Sequence, residues 1–147
     1  MKSTFDQSTR SELTNRINLL HENSTAQWGK MTLYQMLKHC TLWEEMILGN
    51  KNYKQVFVGR LFGRMALKNI LKDEKPLAKN TPTIAALKIT GNGDIAEQKK
   101  KWIALIEAAA NFSNHDFVHP FFGKMTQEQI GYVAYKHADH HLRQFNG

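Results

Sequence analysis

Residues 126–145, TQEQIGYVAYKHADHHLRQF, carry apolar side chains at helical spacing and interrupt that spacing with histidine. Ile130, Val133, Ala134, His137, His141 and Phe145 share one face, while Glu128, Lys136, Asp139 and Arg143 fall elsewhere. His137 and His141 therefore take places that a core would otherwise fill. Four residues apart on one face, the two rings stand roughly 6 Å apart along the axis, close enough to reach one ion. Residues 32–49, TLYQMLKHCTLWEEMILG, read the same way and align Met36, His39, Trp43 and Met46 or Ile47. His39 is thus a third inward imidazole, from a second helix. An unpaired buried polar group costs about 1 to 3 kcal/mol, so three such rings call for partners or a shared cation.

The register rests on well-marked helix starts. GKMT occurs at 29–32 and again at 123–126, and each Thr has Gln three residues on, the spacing of a reciprocal capping box. Met31 with Met36, and Met125 with Ile130, fit the hydrophobic staple around those caps. A further helix is signalled by Asp94 and Glu97 ahead of Ile95, Trp102, Leu105, Ile106, Ala109 and Phe112. The first helix, about residues 8–23, places Leu13, Ile17 and Leu20 behind Thr9 and Glu12.

With 147 residues, 41% of them hydrophobic, the chain suits a single domain, residues 1–147, able to bury a core. Strand signals are weak, and four long helical patterns predict an all-α bundle with a short extra helix near 58–72. Residues 50–93 form a long connection holding Pro76, Pro82, Gly91 and Gly93. Charge concentrates there: eight basic residues between Lys51 and Lys79 against Asp73 and Glu74 supply +6 of the formal +7. Arg60, Arg64, Lys68 and Lys72 make a basic stripe, read as a solvated face, a rim that draws anions to a pocket, or a weak nucleic-acid surface. No zinc-finger spacing, RNA-binding aromatic motif or evident helix-turn-helix specifies nucleic acid. No run is apolar enough to span a bilayer and no signal peptide is visible, so a cytoplasmic protein without a membrane partner is expected. Cys40, the only cysteine, excludes an intrachain disulfide and reads as core packing.

Read with its approach, HPFFGKMTQEQIGYVAYKHADHHLRQF from His119 to Phe145, the chain resembles the DinB-like or YfiT-like superfamily of bacterial four-helix bundles, in an uncharacterised branch. WGKMTLYQMLKHC at 28–40, HPFFGKMT at 119–126 and the terminal H-x3-H with Gln144 carry that resemblance, which covers most of the chain. It implies a divalent ion on His39, His137 and His141. It also implies transferase or isomerase chemistry in which the metal activates a low-molecular-weight thiol, and a chain that dimerises, as members often do.

The expected function is accordingly a metal-dependent, thiol-dependent S-transferase or related transferase acting on a small electrophile through nickel or zinc. The alternatives are a metal-dependent hydrolase and a non-catalytic metal- or ligand-binding module. Three imidazoles leave coordination positions open, as a working site requires. Taken alone, the H-x3-H pair reads as readily as two structural histidines bonded to neighbours. His140, Gln144, Gln35 and His119 are candidates to support the ligands, although Gln35 is already claimed by its cap and His119 precedes Pro120 in a turn. Glu44 and Glu45 point away from His39, so no carboxylate base is evident.

Overall fold

In the computed structural model, which describes all 147 residues, five helices follow in order. They are α1 (Gln7–Leu19), α2 (Leu33–Ile47), α3 (Phe57–Ile70), α4 (Ile95–Ala108) and α5 (Gln127–Gln144). Ahead of α5, β1 (Val118–His119) and β2 (Gly123–Lys124) pair antiparallel as a small hairpin, the one departure from an all-helical chain. Both capping boxes form. The Thr32 hydroxyl accepts from the Gln35 N–H at 3.2 Å and the Gln35 Oε1 from the Thr32 N–H at 3.1 Å. Thr126 and Gln129 repeat this at 3.2 and 3.0 Å. Asp94 caps α4 as its spacing predicts, accepting from the Glu97 N–H at 2.8 Å. The first helix departs from expectation: it ends at Leu19, its N-cap is Asp6, and Thr9 lies buried inside it. Thr9 lies inside the helix, which begins two residues earlier at Gln7.

Helix α2 packs on α4 and α5, and α1 packs on the same two. Leu13 and Ile17 of α1, Leu37 and Cys40 of α2, Trp102 and Ile106 of α4, and Ala138 and Leu142 of α5 meet in one buried cluster. A second cluster joins Trp43, Met46 and Ile47 from the end of α2 to Ile130, Val133 and Ala134 from the start of α5, with Leu67, Leu87 and Phe117. Each leucine, isoleucine, valine, methionine or phenylalanine among them, fully buried, stabilises the fold by roughly 1.5 to 3 kcal/mol. Because the start of α2 shares a cluster with the end of α5, the two run antiparallel. His39 and His137 fall where the two clusters part. Cys40 is buried and free beside Met36, a core residue as expected.

Several charged residues that lie off the apolar helix faces are buried too. On α5, Asp139 accepts from Arg16 at 2.8 Å and from Arg143 at 2.7 Å, and Lys136 donates to the carbonyls of Ile70, Asp73 and Lys75 at 2.6 to 3.0 Å. The Lys136 ammonium thus closes the C-terminal end of α3, where free carbonyls carry partial negative charge. On α2, α4 covers Glu44 and Glu45. Glu45 pairs with Lys101 at 2.6 Å, whereas burial pushes the Glu44 carboxyl up to about 8. A helical wheel identifies one apolar face; here further elements cover the others.

Helix α3 is not short: it has 14 residues, as many as α4. Only Gly59, Gly63 and Leu67 of it are buried. The two glycines lie on the backbone of Phe121, where a Cβ on Gly59 would come within 2.5 Å of the carbonyl oxygen and one on Gly63 would overlap it. Rigid backbone on one side and helix on the other leave no room for relief. No helix is long and apolar enough to cross a membrane. Replacing Gly63 by Ala should therefore destabilise the protein by about 1 to 3 kcal/mol, the usual cost of overpacking, measured as a lower denaturant midpoint. An unchanged midpoint would show that α3 does not sit on Phe121.

Candidate metal centre

His39 leaves the middle of α2 and His137 and His141 leave the second half of α5, one turn apart. Their ring nitrogens, one from each, all lie within 4.8 Å of one another, with the Nε2 atoms of His39 and His137 only 3.0 Å apart. Metal–nitrogen bonds of about 2.0 to 2.1 Å place neighbouring ligand nitrogens roughly 3 to 3.4 Å apart, so a pair at the 4.8 Å limit would close by roughly 1.4 to 1.8 Å to share an ion. The rings have converged as their register predicts. No fourth His, Cys, Asp or Glu joins the group.

The partners of the outer nitrogens decide where the hydrogens sit. His39 Nδ1 lies 2.9 Å from the carbonyl oxygen of Leu87, which can only accept, so Nδ1 carries the hydrogen and Nε2 offers a lone pair. Gln144 does the same for His141 through one further step. Its Nε2 donates to the Trp28 carbonyl at 2.9 Å, which fixes the amide orientation and leaves Oε1 to accept from His141 Nδ1 at 2.9 Å. His141 therefore also keeps its Nε2 lone pair free. His137 is held by stacking: its ring lies 4.3 Å from that of Trp43 at an interplanar angle of 16°. Without a cation, His137 Nε2–H donates to His39 Nε2. An ion held there would take the place of that hydrogen, with the His137 hydrogen moved to Nδ1.

Burial keeps all three rings neutral, the form that binds metals. His39 is lowered by burial, an effect the Leu87 carbonyl partly offsets. His137 is lowered far more, by burial first and then by the neighbouring rings of His141 and His39. His141 is pushed down to about 3, chiefly by burial and next by His39. His137 keeps more exposed surface than His39 or His141, although its ring is closely surrounded by protein.

Of the four residues considered as supports, Gln144 acts directly on a ligand. His140 hydrogen-bonds to none of the three; it packs edge-on against His141 and Trp28, with ring centroids 5.1 and 5.5 Å away. His119 organises the turn: its Nδ1 accepts from the N–H groups of Phe121 and Phe122 at 3.0 and 3.1 Å. The hydrogen of His119 must then sit on Nε2, a buried donor without a protein acceptor. Burial lowers this ring to about 3 as well. Gln35 is removed from the centre, because its Oε1 serves the Thr32 cap and its Nε2 donates to the Gly91 carbonyl at 3.3 Å. The carbonyls of Leu87 and Trp28 were missed by sequence reasoning, since a backbone oxygen has no residue signature. The 3₁₀ turn Ala85–Leu87, within the long connection, delivers the first.

Fold and site together define a mostly helical protein with three converging, neutral histidines at its core. The family model that matches residues 2–147 is DUF1569, protein of unknown function, and the chain belongs to that family. No curated protein and no solved structure matches the chain. The family match overturns the resemblance to the DinB-like or YfiT-like superfamily, for which no family model matched. The motifs behind it, capping boxes and inward histidines one turn apart, express general helix physics and do not identify a lineage.

Two outcomes follow from this geometry. Gln144→Ala, by freeing the His141 ring, should weaken nickel or zinc binding by about ten- to a hundredfold in calorimetric titration, while Gln35→Ala leaves it unchanged. Equal losses would refute the assignment of Gln144. As pH falls below about 6.5 the unfolded chain takes up protons that the buried rings refuse, so metal-free protein should melt at steadily lower temperature between about pH 6.5 and 3. A melting temperature flat across that window would contradict a neutral buried cluster.

Proposed function

We propose that this protein is a metal-dependent enzyme whose nickel or zinc ion is held by His39, His137 and His141 and acts on a small molecule admitted beside His137. In this reading α1, α2, α4 and α5 form a four-helix bundle and the centre occupies its interior between α2 and α5. One observation carries the proposal: the Leu87 carbonyl and the Gln144 amide each hold a hydrogen on an outer ring nitrogen, so two lone pairs turn toward the third histidine. Histidines that served only to pack would not need both tautomers set in the same sense. Imidazole donors suit nickel and zinc among the divalent ions. When bound, such an ion supplies Lewis acidity that makes a coordinated water or thiol easier to deprotonate.

The remaining steps belong to the chain. Trp43 holds the His137 ring flat and walls the site. His119, whose ring centroid lies 6.1 Å from that of Trp43, offers its unpartnered Nε2–H as a donor to a bound polar group. Structural zinc sites take four protein ligands; the three here favour an enzyme over a non-catalytic binding module. The thiol co-reactant rested on the corrected resemblance, and no carboxylate stands beside the cluster to activate water. Turnover with and without added thiol separates S-transfer from hydrolysis. Cys40, free and buried, fits a reducing compartment such as the cytoplasm.

Elemental analysis of untagged protein should find close to one divalent ion per chain, and His137→Ala should lose it together with any turnover. A wild-type protein without affinity for nickel or zinc, or a His137→Ala variant that binds as the parent does, would end the reading.

A further inference from the structure

Helix α3 turns its apolar side outward. Its glycines face the hairpin, and Phe57, Val58, Leu61, Phe62 and Met65 stand 51% to 72% exposed. At 100° per residue those five side chains spread over an arc of about 140°, a continuous apolar stripe. Single exposed apolar residues are ordinary; five on one face of one helix mark a surface that something covers. Arg60, Arg64 and Lys68 border or enter the stripe, all exposed, and α3 contains no Asp or Glu. The acids that follow are already engaged, Glu74 with the N-terminal amine at 2.9 Å and Asp73 with Lys75 at 4.0 Å.

We propose that α3 docks this face on a membrane surface rich in anionic lipid, with Leu61, Met65 and Phe57 among the acyl chains and Arg60, Arg64 and Lys68 among the headgroups. Charge complementarity selects the occupant. A second copy presenting the same face would set arginines and lysines against their counterparts, with no acid on either helix to answer them. A nucleic acid would meet the charges but would leave the apolar stripe uncovered. An apolar face flanked by cations is what an interfacial helix requires, and it needs no spanning segment. This departs from the expectation of no membrane partner, which followed only from the lack of such a segment. It is independent of the metal centre.

Flotation of the full chain with phosphatidylcholine vesicles containing about one-third phosphatidylglycerol tests it, against phosphatidylcholine alone and at rising salt. Binding to the anionic vesicles only, weakening with salt, is expected. Arg60→Gln with Lys68→Gln should lower that affinity about twenty- to thirtyfold, about fivefold per charge removed. Leu61→Ser with Met65→Ser keeps every charge and should abolish flotation at moderate salt, while circular dichroism confirms an intact fold. No flotation of the parent at low salt overturns the proposal, as does parental binding by the serine variant. Self-association in sedimentation velocity that the serine pair abolishes would assign the face to a second copy instead.

Discussion

A neutral imidazole has one hydrogen and two nitrogens, and what the histidine cluster can bind depends on which nitrogen receives it. Leu87 and Gln144 make that choice for His39 and His141 with acceptors that cannot donate. Burial then keeps the rings from taking a second proton. The His39 lone pair meets the His137 Nε2–H at 3.0 Å, and a cation at that point would take up the His39 and His141 lone pairs together. The rest of the fold can be read as the apparatus that holds these acceptors in place.

That apparatus is distributed. Leu87 comes from the long connection, which a local view treats as surface, yet its side chain is buried in one apolar cluster while its carbonyl serves the centre. Gln144 is anchored by Trp28, ahead of α2, so two separate connections contribute. The capping boxes of α2 and α5 set where each helix begins and therefore which way each histidine turns. Apolar clusters lie on either side of His39 and His137, which meet each other at 3.0 Å where the clusters part.

Several residues show how far one strand of letters can be read. His39, His137 and His141 were recoverable because helical periodicity is local, and the caps supplied an origin for counting. The burial of Lys136, Asp139, Glu44 and Glu45 was not legible because it depends on α1, α3 and α4 covering second and third faces of the same helices. Gln35 was a weak candidate because one amide cannot satisfy both a cap and a distant ring. The family resemblance misled for a related reason, since short motifs record what a helix needs in order to start, and unrelated chains meet that need alike.

Composition, periodicity and capping, all properties of neighbouring residues, determined a mostly helical chain and put three histidines on inward faces. Tertiary structure alone decided that those faces meet, which nitrogens carry hydrogen, and that the most amphipathic helix seats its glycines and leaves its large apolar side chains outside. Such outcomes come from contacts between residues far apart in the chain: Leu87 with His39, Trp28 with Gln144, Phe121 with Gly63. Their partners are largely backbone atoms, which every residue possesses and no letter of the sequence distinguishes.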